Sequence, residues 1–204
     1  PVVPCIGNGT PVTDSCPTGA NLTLDGTETG FSTVNAFIGG YGYTAGTPTI
    51  VRENTLTIND GDFTGKSLVA SFVEGTEEGD SALNNALIIK HGTFYGKIYT
   101  AYNVGSNTTG NFKGNVLQIE DGTFTGGYVT AAWTEGVQAG GYESGDGNIV
   151  NISGGVFDGT TGLFIMGGWS TNADAVGNKL NISGGEFING TYLIGGMSQN
   201  AKSF

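Results

Sequence analysis

Four carboxylates, Glu74, Glu77, Glu78 and Asp80, crowd one short stretch around Gly75 and Gly79. Hard oxygen ligands gathered about a tight turn are what calcium takes, so this cluster is the candidate metal site and calcium the candidate cofactor. Asn59-Asp60-Gly61-Asp62 and Glu120-Asp121-Gly122 carry fragments of the same pattern, whereas the corresponding later stretches read Ser153-Gly154-Gly155 and Ser183-Gly184-Gly185. A glycine turn accounts for these fragments without an ion.

Catalysis has few groups to draw on. His91 is the single histidine. It follows Lys90 at a turn position that other copies fill with Asp60, Asp121, Gly154 and Gly184, so it reads as an exposed turn residue rather than a general base. Glycoside hydrolysis needs two carboxylates facing each other across a groove, and here they are spread over separate loops. Lyase chemistry on a uronate needs clustered cations, but Lys and Arg together number 7. No catalytic residue is assigned, and the chain reads as non-enzymatic.

Two further sets of residues concern maturation. Cys5 and Cys16, the only cysteines, bracket a loop of Gly, Pro and Thr too polar to fold by burial. A disulfide between them would contribute roughly 2 to 3 kcal/mol and place the protein in an oxidising setting, extracellular or at a cell surface. The start at Pro1, without Met or a signal peptide, reads as a processed end. Asn-x-Ser/Thr sequons occur at Asn8, Asn21, Asn107, Asn151, Asn181 and Asn189. Asn151 and Asn181 follow from a repeat, and Asn107, in a loop of Gly, Asn and Thr, is the candidate glycosylation site.

That repeat must position everything else. Phe63, Phe94, Phe124, Phe157 and Phe187 recur at intervals of 31, 30, 33 and 30 residues. Before each comes a glycine (Gly61, Gly92, Gly122, Gly155, Gly185) and, further upstream, an asparagine (Asn54, Asn85, Asn115, Asn148, Asn178). Between them lie aliphatic pairs spaced by two, such as Leu56/Ile58 and Leu180/Ile182, the period of a strand with one buried face. A second strand follows each phenylalanine and ends in two small residues and a large one, as in Ala131-Ala132-Trp133 and Gly167-Gly168-Trp169. The spacing predicts an all-β, single-domain β-solenoid of about six coils with repeats of about 30 residues, in which asparagines and aromatics stack on their own copies. Residues 21–204 form the solenoid, and residues 1–20, rich in proline, a non-repetitive N-terminal segment.

The aromatic column Tyr41, Phe72, Tyr102, Trp133 and Trp169, continued by Met197, reads as core, with the preceding small residues making room for the large side chain. Facing solvent, it would instead be a stripe for sugar rings. The variable stretches 74–84, 103–114, 134–147 and 170–177 hold Glu74, Glu77, Glu78, Asp80, Glu135, Glu143, Asp146 and Asp174 and predict one acidic edge.

A formal charge of −11 repels nucleic acid and anionic membrane surfaces. No apolar run reaches the roughly 18 residues of a membrane-spanning helix. Nucleic-acid partners and membrane insertion are therefore not expected.

The run Asn-x-Leu-Asn-Ile-Ser-Gly-Gly-x-Phe, as at residues 178–187, followed by Ile-x-Gly-Gly, resembles repeats in the passenger regions of bacterial autotransporter-type surface adhesins, over about residues 54–204. The resemblance implies a secreted β-helix with an adhesive or structural role. Without a polar cap after the last strand, the expected function is a structural solenoid that self-associates head-to-tail, the coil 178–197 of one subunit on the coil 21–41 of the next, building a filament or fibre. The alternative is a monomeric adhesin passenger domain binding a host glycan or protein through its acidic loops. A polysaccharide-active enzyme is the third reading.

Overall fold

A computed structural model of the chain describes residues 19–28, 30–42, 46, 48–74, 77–105 and 108–200. Cys5, Cys16 and Asn107 lie outside the described residues, as does nearly all of the N-terminal segment.

Each coil begins with the aliphatic pair. The strands Asn21–Leu24, Thr55–Ile58, Ala86–Ile89, Val116–Ile119, Ile149–Ile152 and Lys179–Ile182 form a six-stranded parallel sheet in unbroken register. Leu22, Leu56, Leu87, Leu117, Val150 and Leu180 therefore make one inward column, and Leu24, Ile58, Ile89, Ile119, Ile152 and Ile182 the next.

The chain then turns at the glycine. Gly122 has φ 127, and a Cβ there would lie 3.0 Å from Cε2 of Phe94 and 3.1 Å from the Gly92 carbonyl oxygen. Only glycine accepts both that backbone and the ring of the previous coil. The phenylalanine and the strand after it build a nine-stranded second sheet. In Thr93–Asn103 and Thr123–Thr134 the two segments run as one strand, whereas a 3-10 turn at Gly159–Thr161 divides Val156–Asp158 from Leu163–Ser170.

A third sheet has five short parallel strands, Ile50–Arg52, Ser81–Leu83, Phe112–Lys113, Ala139–Gly140 and Ala175–Val176. These lie within or beside the stretches read as variable. Strands of two or three residues carry no legible period. The first face thus has six rungs and the third five, which is the expected β-solenoid of parallel coils. No α-helix occurs among the described residues.

Two apolar clusters fill the interior. The larger joins the aliphatic columns to the phenylalanines, and the smaller lies against the third sheet around Val51, Phe112, Val137 and Ala139.

Candidate functional site

The asparagine ladder stands at the corner where the third sheet leads into the first. Asn54, Asn85, Asn115 and Asn148 are buried. Each sends two donors to the next copy: Asn85 N and Nδ2 reach Asn115 Oδ1 at 3.1 and 2.9 Å, and Asn115 N and Nδ2 reach Asn148 Oδ1 at 3.2 and 2.9 Å. The remaining amide proton goes to a third-sheet carbonyl, from Asn115 to Ala82 O at 3.0 Å and from Asn148 to Phe112 O at 2.8 Å. Buried amides satisfied in this way specify which residue lies over which, because a shifted coil would orphan them.

The second small residue of the pairs Gly39-Gly40 and Gly167-Gly168 serves this ladder. A Cβ on Gly40 would lie 2.4 Å from Asn54 Cγ, and one on Gly168 2.5 Å from Asn178 Cγ. The expectation that they make room for the following aromatic is corrected: they clear space for asparagine. Phe63, Phe94, Phe124, Phe157 and Phe187 stack inside as expected, with centroids 5.4, 4.7, 4.8 and 4.7 Å apart and nearly parallel planes.

The second aromatic column points outward and is half-buried, so its assignment to the core is also corrected. Tyr41, Phe72, Tyr102 and Trp133 pack with Tyr128 against a separate cluster of Ile38, Val69 and Tyr99 on the outer face of the second sheet. A neighbouring column of Tyr128, Phe164 and Tyr192 went unrecognised in the sequence because Lys97 occupies its preceding rung. Trp133 and Trp169 stack at 3.9 Å, Phe72 and Tyr102 at 5.4 Å, and Phe164 and Tyr192 at 4.5 Å. These stacked pairs turn their faces to each other, whereas Tyr102 meets Trp133 edge-on at 6.4 Å and Tyr41 is tilted 48° to Phe72.

The structure does not bring the four candidate calcium ligands together. Glu74 accepts from the Tyr41 hydroxyl at 2.6 Å and Glu77 from the Gly46 amide at 2.9 Å. Glu78 accepts from the amides and hydroxyls of Thr108 and Thr109. Those bonds, led by the Thr109 hydroxyl, hold its carboxyl below the usual range. Asp80 is buried and accepts from Thr49 N at 2.6 Å and Glu77 N at 3.2 Å. Among the described residues no group of three or more His, Cys, Asp or Glu is placed to share a metal ion. These acids splice the loops of successive coils instead.

His91 is exposed, and its Nδ1 lies 2.8 Å from Asp60 Oδ1 on the preceding coil. That hydrogen bond raises the imidazole pKa and lowers that of the carboxyl.

The two ends of the described solenoid differ. At the first coil Leu22, Leu24 and Phe37 are buried. Phe31, from a 3-10 turn, stacks on Phe37 at 5.1 Å and meets Phe63 edge-on at 5.0 Å. Lys66 Nζ fastens that turn through the carbonyls of Phe31 at 3.0 Å and Val34 at 2.7 Å. At the rung 179–198, by contrast, Ile182 and Leu193 are each 43% exposed, while their register partners Ile152 and Ile165 are 1% and 0% exposed. Tyr192 is exposed as well. Core-type side chains in core register therefore face solvent along this rung.

Fold and site together define a β-solenoid with a buried amide ladder, in whose last described rung Ile182 and Leu193 are exposed. The chain matches no family model, no curated protein and no solved structure in comparison with each.

Proposed function

We propose that the protein is a non-enzymatic structural β-solenoid of the cell exterior, whose rung 179–198 is an assembly end that receives a further β rung, so that units join into a filament or fibre. The observation that carries this reading is the exposure of Ile182 and Leu193 in the register of residues that every earlier coil buries. Fully burying one such side chain stabilises by roughly 1.5 to 3 kcal/mol, and an unpaired strand edge offers its amides and carbonyls to another strand. The extracellular setting rests on the pairing of Cys5 with Cys16 expected from the sequence.

The test is negative-stain electron microscopy and light scattering of the native chain beside the double variant Ile182→Lys, Leu193→Lys. Fibres or concentration-dependent oligomers that the variant loses are the expected result. Monodisperse particles of 20.8 kDa at every concentration would overturn the proposal.

A further inference from the structure

We infer that the outward face of the first sheet pairs with the same face of a second copy of this chain, the coils of the two running in opposite order. The inference is independent of the rung 179–198.

Along the strands of this sheet the buried residues alternate with half-buried outward ones: Thr55 and Thr57, Ala86 and Ile88, Val116 and Gln118, Ile149 and Asn151. The ladder continues beyond them, with Lys90 N donating to Ile58 O at 2.9 Å, Glu120 N to Ile89 O at 2.8 Å and Ser153 N to Ile119 O at 2.9 Å. By the alternation of a strand, Asn59, Lys90, Glu120 and Ser153 therefore make a third outward column. In a chain of net charge −11, these four coils place two charges on the face, Lys90 and Glu120, of opposite sign and on adjacent coils. Both are exposed. Neither belongs to an ion pair among the described residues.

This pattern is self-complementary about a two-fold axis that runs between the strands Ala86–Ile89 and Val116–Ile119 and parallel to them. The operation sets Lys90 over Glu120 of the second copy and Glu120 over its Lys90, as an isologous contact requires. It also sets Ala86 over Val116 and Thr55 over Ile149, small against large, and Thr57 over Asn151 and Asn59 over Ser153, polar against polar. Other placements lose this match. An axis along Ala86–Ile89 would oppose Lys90 to its own copy, and one along Val116–Ile119 would do the same to Glu120. Turning the second copy about the solenoid axis instead reverses the columns, sets Lys90 over Ala86 and Glu120 over Val116, and leaves both charges unpaired.

Six strands at about 4.8 Å and four residues at about 3.3 Å give a face of roughly 29 Å by 13 Å. Over both partners that is about 750 Å², short of the roughly 1,200 Å² of stable complexes. The pairing is accordingly weak and concentration-dependent, and its register is chosen by charge.

The experiment is sedimentation velocity of the full chain from about 10 μM to about 1 mM, the range of weak association. Every sample carries Ile182→Lys and Leu193→Lys, so that the rung 179–198 does not contribute. To this parent are added Lys90→Glu or Glu120→Lys, and the two variants are run alone and in equal mixture, with thermal melts to show that each is folded. The expected result is a reversible dimer of the parent that either substitution weakens by about tenfold or more. The mixture restores opposite charges at both contacts and should return to within about threefold of the parent. A parent that stays monomeric throughout, or single variants that dimerise as the parent does, would overturn the proposal. A mixture no stronger than its components would overturn the two-fold arrangement. Fibre formation by the chain without the substitutions at 182 and 193 is scored separately, so each proposal can fail alone.

Discussion

Asn115 Nδ2 donates to Asn148 Oδ1 at 2.9 Å, while Asn115 Oδ1 accepts from Asn85 Nδ2 at the same distance. One side chain is thereby acceptor to the coil before it and donor to the coil after it. The resulting register is independent of how the loops between coils vary, which is how an insertion that stretches one repeat to 33 residues leaves the columns aligned.

Replacing Asn115 by alanine removes the acceptor for Asn85 N and Nδ2 and the donor to Ala82 O. The expected loss is about 3 to 5 kcal/mol in denaturant unfolding. Asn181→Ala removes an exposed bond to Asn151 of the same 2.9 Å length and should change stability by less than about 0.5 kcal/mol.

Gly122→Ala sets a methyl group against the Phe94 ring and the Gly92 carbonyl at positive φ. A cost of about 2 to 4 kcal/mol is expected. Gly145, with φ 94 and nothing within 4 Å of an added Cβ, carries only the backbone penalty, about 1 to 2 kcal/mol for alanine. Thermal melts of the two variants separate packing from conformation.

Asp80→Ala removes the acceptor of the Thr49 and Glu77 amides in a buried loop junction. It should destabilise by about 2 to 3 kcal/mol. Because the neighbouring carboxylates are aimed at separate partners, the melting temperature of the native chain is expected to be the same in calcium and in chelator. A calcium-dependent rise would reinstate Glu74, Glu77, Glu78 and Asp80 as ligands.

The imidazole of His91 is raised from its usual 6.5 by Asp60, and the Asp60 carboxyl is lowered from 3.8. The histidine's contribution to stability is fully present below pH 6.5 and lost as pH rises through the raised value. The carboxyl's is present above pH 3.8 and lost as pH falls through its lowered value. The pair therefore favours the fold most between those limits. A proton NMR titration of His91 should give a midpoint above 6.5 that falls back in Asp60→Asn.

Phe63 and its copies, Asn54 and its copies and the Leu/Ile pairs are legible in the chain because a solenoid repeats its environment with its sequence. A buried column has to recur at every turn, and one residue type at one interval already specifies what lies above and below it. Direction is a different matter. Whether Trp133 faces inward or outward depends on the corner made by Ala131 and Ala132, where the chain bends around the ladder, and alternation along a strand does not reveal that bend. The third sheet escaped notice because Ala139–Gly140 and Ala175–Val176 are too short to show a period. The fate of Glu74, Glu77, Glu78 and Asp80 was decided by Tyr41, Gly46, Thr108 and Thr49, all of them on adjacent coils. Neighbours about 30 residues away along the chain, brought within hydrogen-bond reach only by stacking, turned a sequence cluster into four separate splices.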